Sequence, residues 1–185
     1  MSSLRIVALM VLASFQLSLF SASARSFWKH HKHHHETPNA FKILGMDRFA
    51  VAVRDVNQDP KLKCLTATRI DLNLDVPSAT FLWSFNGNEN ATRKNATLHF
   101  TKGPSIDTAN IVVDSDTDHP DVVRYLYADH DVTCAIMELR YFGYQCTLWV
   151  RNTTKHSVSK KCFKAHAKLC ANGVSLYDES TCRDF

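Results

Sequence analysis

Glycine is scarce in this chain, with five in 185 residues. None of them forms a Gly-rich phosphate loop, which excludes the backbone cradles of nucleotide-binding enzymes. No Gly-x-Ser-x-Gly nucleophile elbow occurs either. His99, His119, His130, His156 and His166 are scattered without a motif partner, so no catalytic residue is assigned, no cofactor is implied and no enzyme is expected. Charge of a single sign is also missing. Lysine and arginine number 22 against 18 acidic residues, intermixed along the chain, and this gives no nucleic-acid footprint. Beyond residue 24, no apolar run approaches a membrane-spanning length.

What is present begins with residues 1–24. A basic start at Arg5 precedes an apolar stretch from Ile6 to Phe20, interrupted by Ser14, Gln16 and Ser18. It ends in Ala22-Ser23-Ala24, the small-x-small pattern of a cleaved signal peptide. The mature chain is therefore expected to be soluble and secreted, starting near Arg25. Sequons at Asn90, Asn95 and Asn152 agree with that route and mark three candidate glycosylation sites. Six cysteines, five of them in the last third, suit a disulfide framework in an extracellular chain.

Residues 25–37 form a low-complexity tail. His30, His31, His33, His34 and His35 offer imidazoles for weak Zn²⁺ or Cu²⁺ binding. A flexible, partly charged tail is the simpler reading, and no metal site is assigned. Residues 38–185 then read as one domain. At roughly 160 residues, the mature chain can bury about 70% of its unfolded surface.

Pro38 and Gly45 bound a short helix from Ala40 to Met46. Eight strand-like runs follow, near 48–56, 63–74, 80–85, 95–101, 109–114, 122–128, 133–140 and 145–151. Turn residues such as Asp59-Pro60, Asn86-Gly87-Asn88 and Gly103-Pro104 separate them. Eight strands at this spacing predict an all-β barrel or sandwich. Residues 158–171 switch to helical spacing, with Cys162, Phe163, Ala167 and Cys170 on one face, and 174–177 is a last extended piece.

A glycan on Asn95 fixes one strand. That side chain must face solvent, so Ala96, Leu98 and Phe100 face in. Strand alternation likewise places Phe81, Trp83 and Phe85 together, Tyr125 with Tyr127, Met137 with Leu139, and Thr147 with Trp149. If these faces point into one barrel, its interior is strongly aromatic and has room for side chains or one small ligand. On composition alone, ordinary core filling is the simpler account.

The cysteine pattern, the Cys146-Thr-Leu-Trp-Val150 strand, Tyr177-Asp178 before Cys182, and the Ala40-Phe41-Lys42 helix start together resemble the tick salivary lipocalins of the histamine-binding type. The resemblance runs from about Pro38 onward, with its specific motifs in the C-terminal third. It implies an eight-stranded antiparallel up-and-down lipocalin barrel, with a short N-terminal helix and a C-terminal helix tethered by disulfides. It also implies the pairs Cys64–Cys182, Cys134–Cys162 and Cys146–Cys170, of which the last two could exchange partners.

Such proteins capture host amines such as histamine or serotonin, or lipid mediators such as leukotrienes, and others engage host immune or complement proteins. The implied ligand-binding set here is Phe81, Trp83, Phe85, Leu98, Phe100, Tyr125, Tyr127, Met137, Leu139, Thr147 and Trp149. An ammonium ligand needs a buried carboxylate, because an unpaired charge in an apolar cup is costly. In the family the strand often reads Cys-Glu-Leu-Trp-Val, and here Thr147 replaces that glutamate, which counts against histamine. Asp55, Asp71 and Glu138 are candidate substitutes, each expected to be a solvated strand residue. The alternative role is a scaffold that binds a host protein through loops such as 86–94 or 103–109.

Overall fold

The computed structural model describes residues 36–86 and 94–182. The expected signal peptide, the histidine-rich stretch and the Asn90 sequon lie outside the described residues.

The chain opens with helix α1, Ala40–Leu44. Asn39 caps it by accepting a 3.0 Å hydrogen bond from the Lys42 amide. Eight antiparallel strands follow: β1 Phe49–Asp55, β2 Thr66–Asn73, β3 Ser78–Phe85, β4 Lys94–Lys102, β5 Thr108–Val113, β6 Asp121–Ala128, β7 Cys134–Leu139 and β8 Gln145–Arg151. Each pairs with the next, and β8 returns to β1. A short β1–β2 pairing, Phe49–Val51 against Thr66–Thr68, closes the barrel. Closure leaves the central strands no free edge, which is how an up-and-down barrel escapes edge-to-edge association. Helix α2, Lys160–Cys170, lies outside, and β9, Val174–Ser175, pairs with the end of β1.

Two apolar layers result. Inside the barrel, Ile43 and Leu44 of α1 pack with Ala50, Phe81, Trp83, Leu98, Phe100, Tyr125, Met137, Leu139 and Trp149. Outside it, Val51, Val53, Ile136, Leu148 and Val150 pack beneath α2. In β4, Ala96, Leu98 and Phe100 are buried while Asn95 and His99 are exposed, the pattern expected from the Asn95 sequon.

Two disulfides bind α2 to the wall, and a third ties the C-terminal segment to the β1–β2 connection. Cys64 pairs with Cys182, Cys134 with Cys162, and Cys146 with Cys170, with Cα separations of 5.4, 6.4 and 5.6 Å. Cys134 and Cys146 sit on outward positions of adjacent strands, so they anchor two turns of one helix face. That face differs from the expected one. The buried positions of α2 are Cys162, His166 and Cys170, four residues apart, and Ala167 is exposed. With 162 and 170 fixed to the wall, residue 166 is the one midway between them on the same stripe.

Candidate functional site

Alternation along β1 would place Asp55 outward with Val51 and Val53. A β-bulge between Ala52 and Arg54 changes this. Val53 and Arg54 both stay on the outer side, where Arg54 donates from Nε to the Gly173 carbonyl at 3.1 Å. Asp55 is thereby turned inward, and it is fully buried. This corrects the expectation of a solvated strand residue. Asp71 and Glu138 do lie on the outside: Asp71 is exposed, and Glu138 accepts a hydrogen bond from the Tyr144 hydroxyl at 2.8 Å.

Thr147 faces Asp55 inside the barrel and donates its hydroxyl hydrogen to Oδ2. The Asn57 amide donates to Oδ1 at 2.6 Å. Burial pushes the Asp55 carboxyl above its ordinary value of 3.8, while the Thr147 hydroxyl and the Asn57 and Cys146 amides pull it back. Behind the wall, fully buried His166 donates from Nε2 to the Cys146 carbonyl at 2.9 Å, and burial holds its pKa below the usual histidine range. Gly173 permits this packing, since a Cβ there would come within 2.9 Å of the His166 ring and 2.6 Å of the Asp55 carbonyl oxygen.

The inward face of β8 continues on both sides of Thr147. Gln145 pairs with Leu139 and Thr147 with Met137, and both partners belong to the interior cluster. Gln145 is fully buried, and neither amide atom has a protein partner; the Trp149 indole N–H lacks one too. Leaving a buried amide unpaired costs about 1–3 kcal/mol. Extending the expected Thr147–Trp149 face by two residues would have reached Gln145. The inward turn of Asp55, a candidate carboxylate, carried no comparable signal, because nothing in Ala52-Val53-Arg54 marks a bulge.

Around these polar groups the interior is aromatic. The Trp83 and Trp149 rings lie 5.0 Å apart, and Phe142 stacks on Trp83 at 5.9 Å. Phe142 also meets Phe85 at 5.3 Å and Tyr141 at 5.0 Å. The β7–β8 turn thus lays Phe142 over the barrel end where β1 finishes and β8 begins. The Tyr141 hydroxyl donates to Asp116 at 2.8 Å and fastens that turn to the β5–β6 connection.

Toward α1, a cavity of about 50 Å³ opens between Ile43, Phe81, Trp83, Phe100, Tyr125, Met137 and Trp149. Six of the residues expected at the ligand therefore share one space: Phe81, Trp83, Phe100, Tyr125, Met137 and Trp149. Leu98 and Leu139 pack within the same core, Phe85 lies under Phe142, and Thr147 joins Asp55. Tyr127 does not belong. A second bulge, between Tyr125 and Tyr127, turns it outward opposite Ile136, where it packs in the layer beneath α2. Among the described residues, the one cluster with metal-ligand geometry is Asp129, Cys134 and Cys162, and its two sulfurs are joined in a disulfide.

Solved structures share the fold, among them the following two. Japanin from Rhipicephalus appendiculatus, bound to cholesterol, superposes with a TM-score of 0.53 at 10% identity, covering 72% of this chain and 94% of Japanin. AM182 in its serotonin complex gives a TM-score of 0.59 at 12% identity, covering 77% and 92%. No curated protein matches the chain. The family description "Tick histamine binding protein" matches residues 28–184. The chain belongs to the tick histamine-binding protein family.

Proposed function

We propose that this protein is a secreted, non-enzymatic binder that sequesters a small host mediator inside its barrel, and that the mediator is a biogenic amine such as histamine or serotonin. The observation that carries this reading is Asp55, a fully buried carboxylate held by Thr147, two residues from Trp149 on the inward face of β8. An ionised carboxylate in such surroundings is costly until a cation joins it. An ammonium would meet the Asp55 charge, while the Trp83 and Trp149 faces add cation–π attraction of about 0.5–2 kcal/mol. Asp55 supplies the acid that Thr147 lacks, and Thr147 orients it. The serotonin complex of AM182 is consistent with this ligand class, and the cholesterol complex of Japanin keeps a lipid mediator as the control ligand.

The test is calorimetry on the oxidised protein with histamine, serotonin, a leukotriene and cholesterol, alongside Asp55→Asn. Saturable amine binding that falls at least tenfold in Asp55→Asn supports the reading. Tight lipid binding without amine binding replaces it with a lipid carrier.

One observation favours a second reading. The cavity of about 50 Å³ is far below the roughly 300 Å³ at which ligand pockets usually begin. A filled barrel suits a scaffold that engages a host immune or complement protein through its loops. Ile106 in the β4–β5 connection, 59% exposed, is one apolar contact such a surface offers. Capture of a defined plasma protein by the wild type, lost on Ile106→Asp while amines fail to bind, would establish this role instead.

A further inference from the structure

Gln145 is a buried polar residue on the inward face of β8 that the amine reading leaves unused. It points into the barrel opposite Leu139, is fully buried, and keeps both amide atoms without a protein partner. A leucine or methionine would fill the same space without the penalty of desolvating an unpaired amide. Gln145 also has a fixed relation to the carboxylate. It lies two residues from Thr147 on the same strand face, about 7 Å away at roughly 3.4 Å per residue, and Thr147 touches Asp55. On the other side of Thr147, the Trp149 indole N–H is likewise buried and unpartnered.

We infer that Gln145 reads a second hydrogen-bonding group on the ligand held at Asp55, which narrows the ligand class to compact amines carrying a hydroxyl or ring N–H at the end remote from the ammonium. This rests on the amine reading above. The amide offers one acceptor and one N–H donor pair, so it completes a hydroxyl or azole N–H in either direction. An amine with a purely hydrocarbon body leaves that amide unpaired in the complex. A site built to hydrogen-bond an OH or NH discriminates far more sharply against the analogue lacking it than an apolar pocket does against an added group.

Matched amines that differ by one hydroxyl isolate the effect. Serotonin against tryptamine and tyramine against phenethylamine are titrated into the wild type and into Gln145→Leu. The wild type is expected to favour the hydroxylated member of at least one pair by tenfold or more, and Gln145→Leu is expected to reduce that ratio to within about twofold. A melting temperature for the unliganded variant at or above that of the wild type shows that the fold is intact. Equal wild-type affinity within both pairs overturns the inference and leaves the amine reading standing. So does a preference that survives in Gln145→Leu. Absence of binding by all four amines and by histamine overturns both.

Discussion

Thr147 gives its hydroxyl hydrogen to Asp55 across the β1–β8 seam, inside the barrel. The family's strand often carries a glutamate where Thr147 stands. On the proposed amine reading the acid comes instead from the neighbouring strand, and Thr147 supplies a hydrogen bond that orients it. Thr147→Val should therefore destabilise the protein by about 1–2 kcal/mol, because a buried carboxylate loses a donor. It should also raise the Asp55 pKa further. Chemical denaturation measures the first effect, and the pH midpoint of amine binding measures the second. Unchanged values for both would separate Thr147 from the site.

The Asp55 carboxyl is pushed up in the folded state, so the native protein holds this proton to higher pH than the unfolded chain does. Stability from this group is greatest below the ordinary carboxylate value of 3.8 and is lost as pH rises through the raised native value. Asp107, Asp116 and Asp178 run the other way. Ser105, Tyr141 and Ser180 respectively lead in lowering their pKa values, that of Asp178 to about 2, so their contribution is lost on acidification. The difference between wild type and Asp55→Asn isolates the Asp55 part. That difference should grow in favour of the variant as pH rises from 4 toward 7 in the absence of ligand. Saturating amine should shrink it, since the cation compensates the charge. A flat difference would place the carboxylate in contact with solvent.

Tyr125 and Tyr127 are two residues apart, and a strict strand would put both at the ligand. The bulge between them sends Tyr127 to the outer layer. Tyr127→Ala should therefore lower the melting temperature without changing amine affinity by more than about twofold. Tyr125→Ala, which opens the cavity wall, should change the affinity itself. An equal loss of affinity in both variants would contradict the outward placement.

The legibility of this chain follows the same divide. In β4 a simple period of two, fixed by one sequon, placed Ala96, Leu98 and Phe100 inside. The cysteines gave the helix and its attachment, because the resemblance named partners that the geometry allows. Both corrections to the site come from bulges at Val53 and Leu126. These residues are aliphatic and fit either layer, so neither interrupts the pattern that conceals the shift. In α2 the apolar spacing points to Ala167, and the structure buries His166 instead. The two disulfides impose a four-residue stripe, and a histidine that donates to the Cys146 carbonyl fits that stripe.

The disulfides differ in how much chain they restrain. Cys64–Cys182 spans 118 residues and Cys146–Cys170 spans 24. Loop-entropy arithmetic assigns them about 5 and about 3.5 kcal/mol, respectively. Replacing Cys64 and Cys182 with serine should therefore cost about 1.5 kcal/mol more than the corresponding change at Cys146 and Cys170. Urea unfolding of the two variants under oxidising conditions measures the gap. A reversed order would mean that holding α2 over the outer layer matters more than closing the long loop.

Phe142 lies over the barrel end at which β1 finishes with Asp55 and β8 begins with Gln145. It stacks on Trp83 at the end of the barrel where the polar cluster lies, and Gly143 beside it adopts a φ of +80° that favours glycine. If amines enter at this end of the barrel, the ring must move before they reach Asp55. Phe142→Ala should therefore raise the association rate for amines by about tenfold or more. The dissociation rate should rise as well, because the same ring covers the bound ligand, so affinity should change less than either rate. Asp116→Asn should act in the same direction and more weakly, since it loosens the Tyr141 tie without removing the ring. Stopped-flow tryptophan fluorescence resolves both rates, with Trp83 as the reporter. Association rates equal to wild type in Phe142→Ala would place the entrance at the α1 end of the barrel instead.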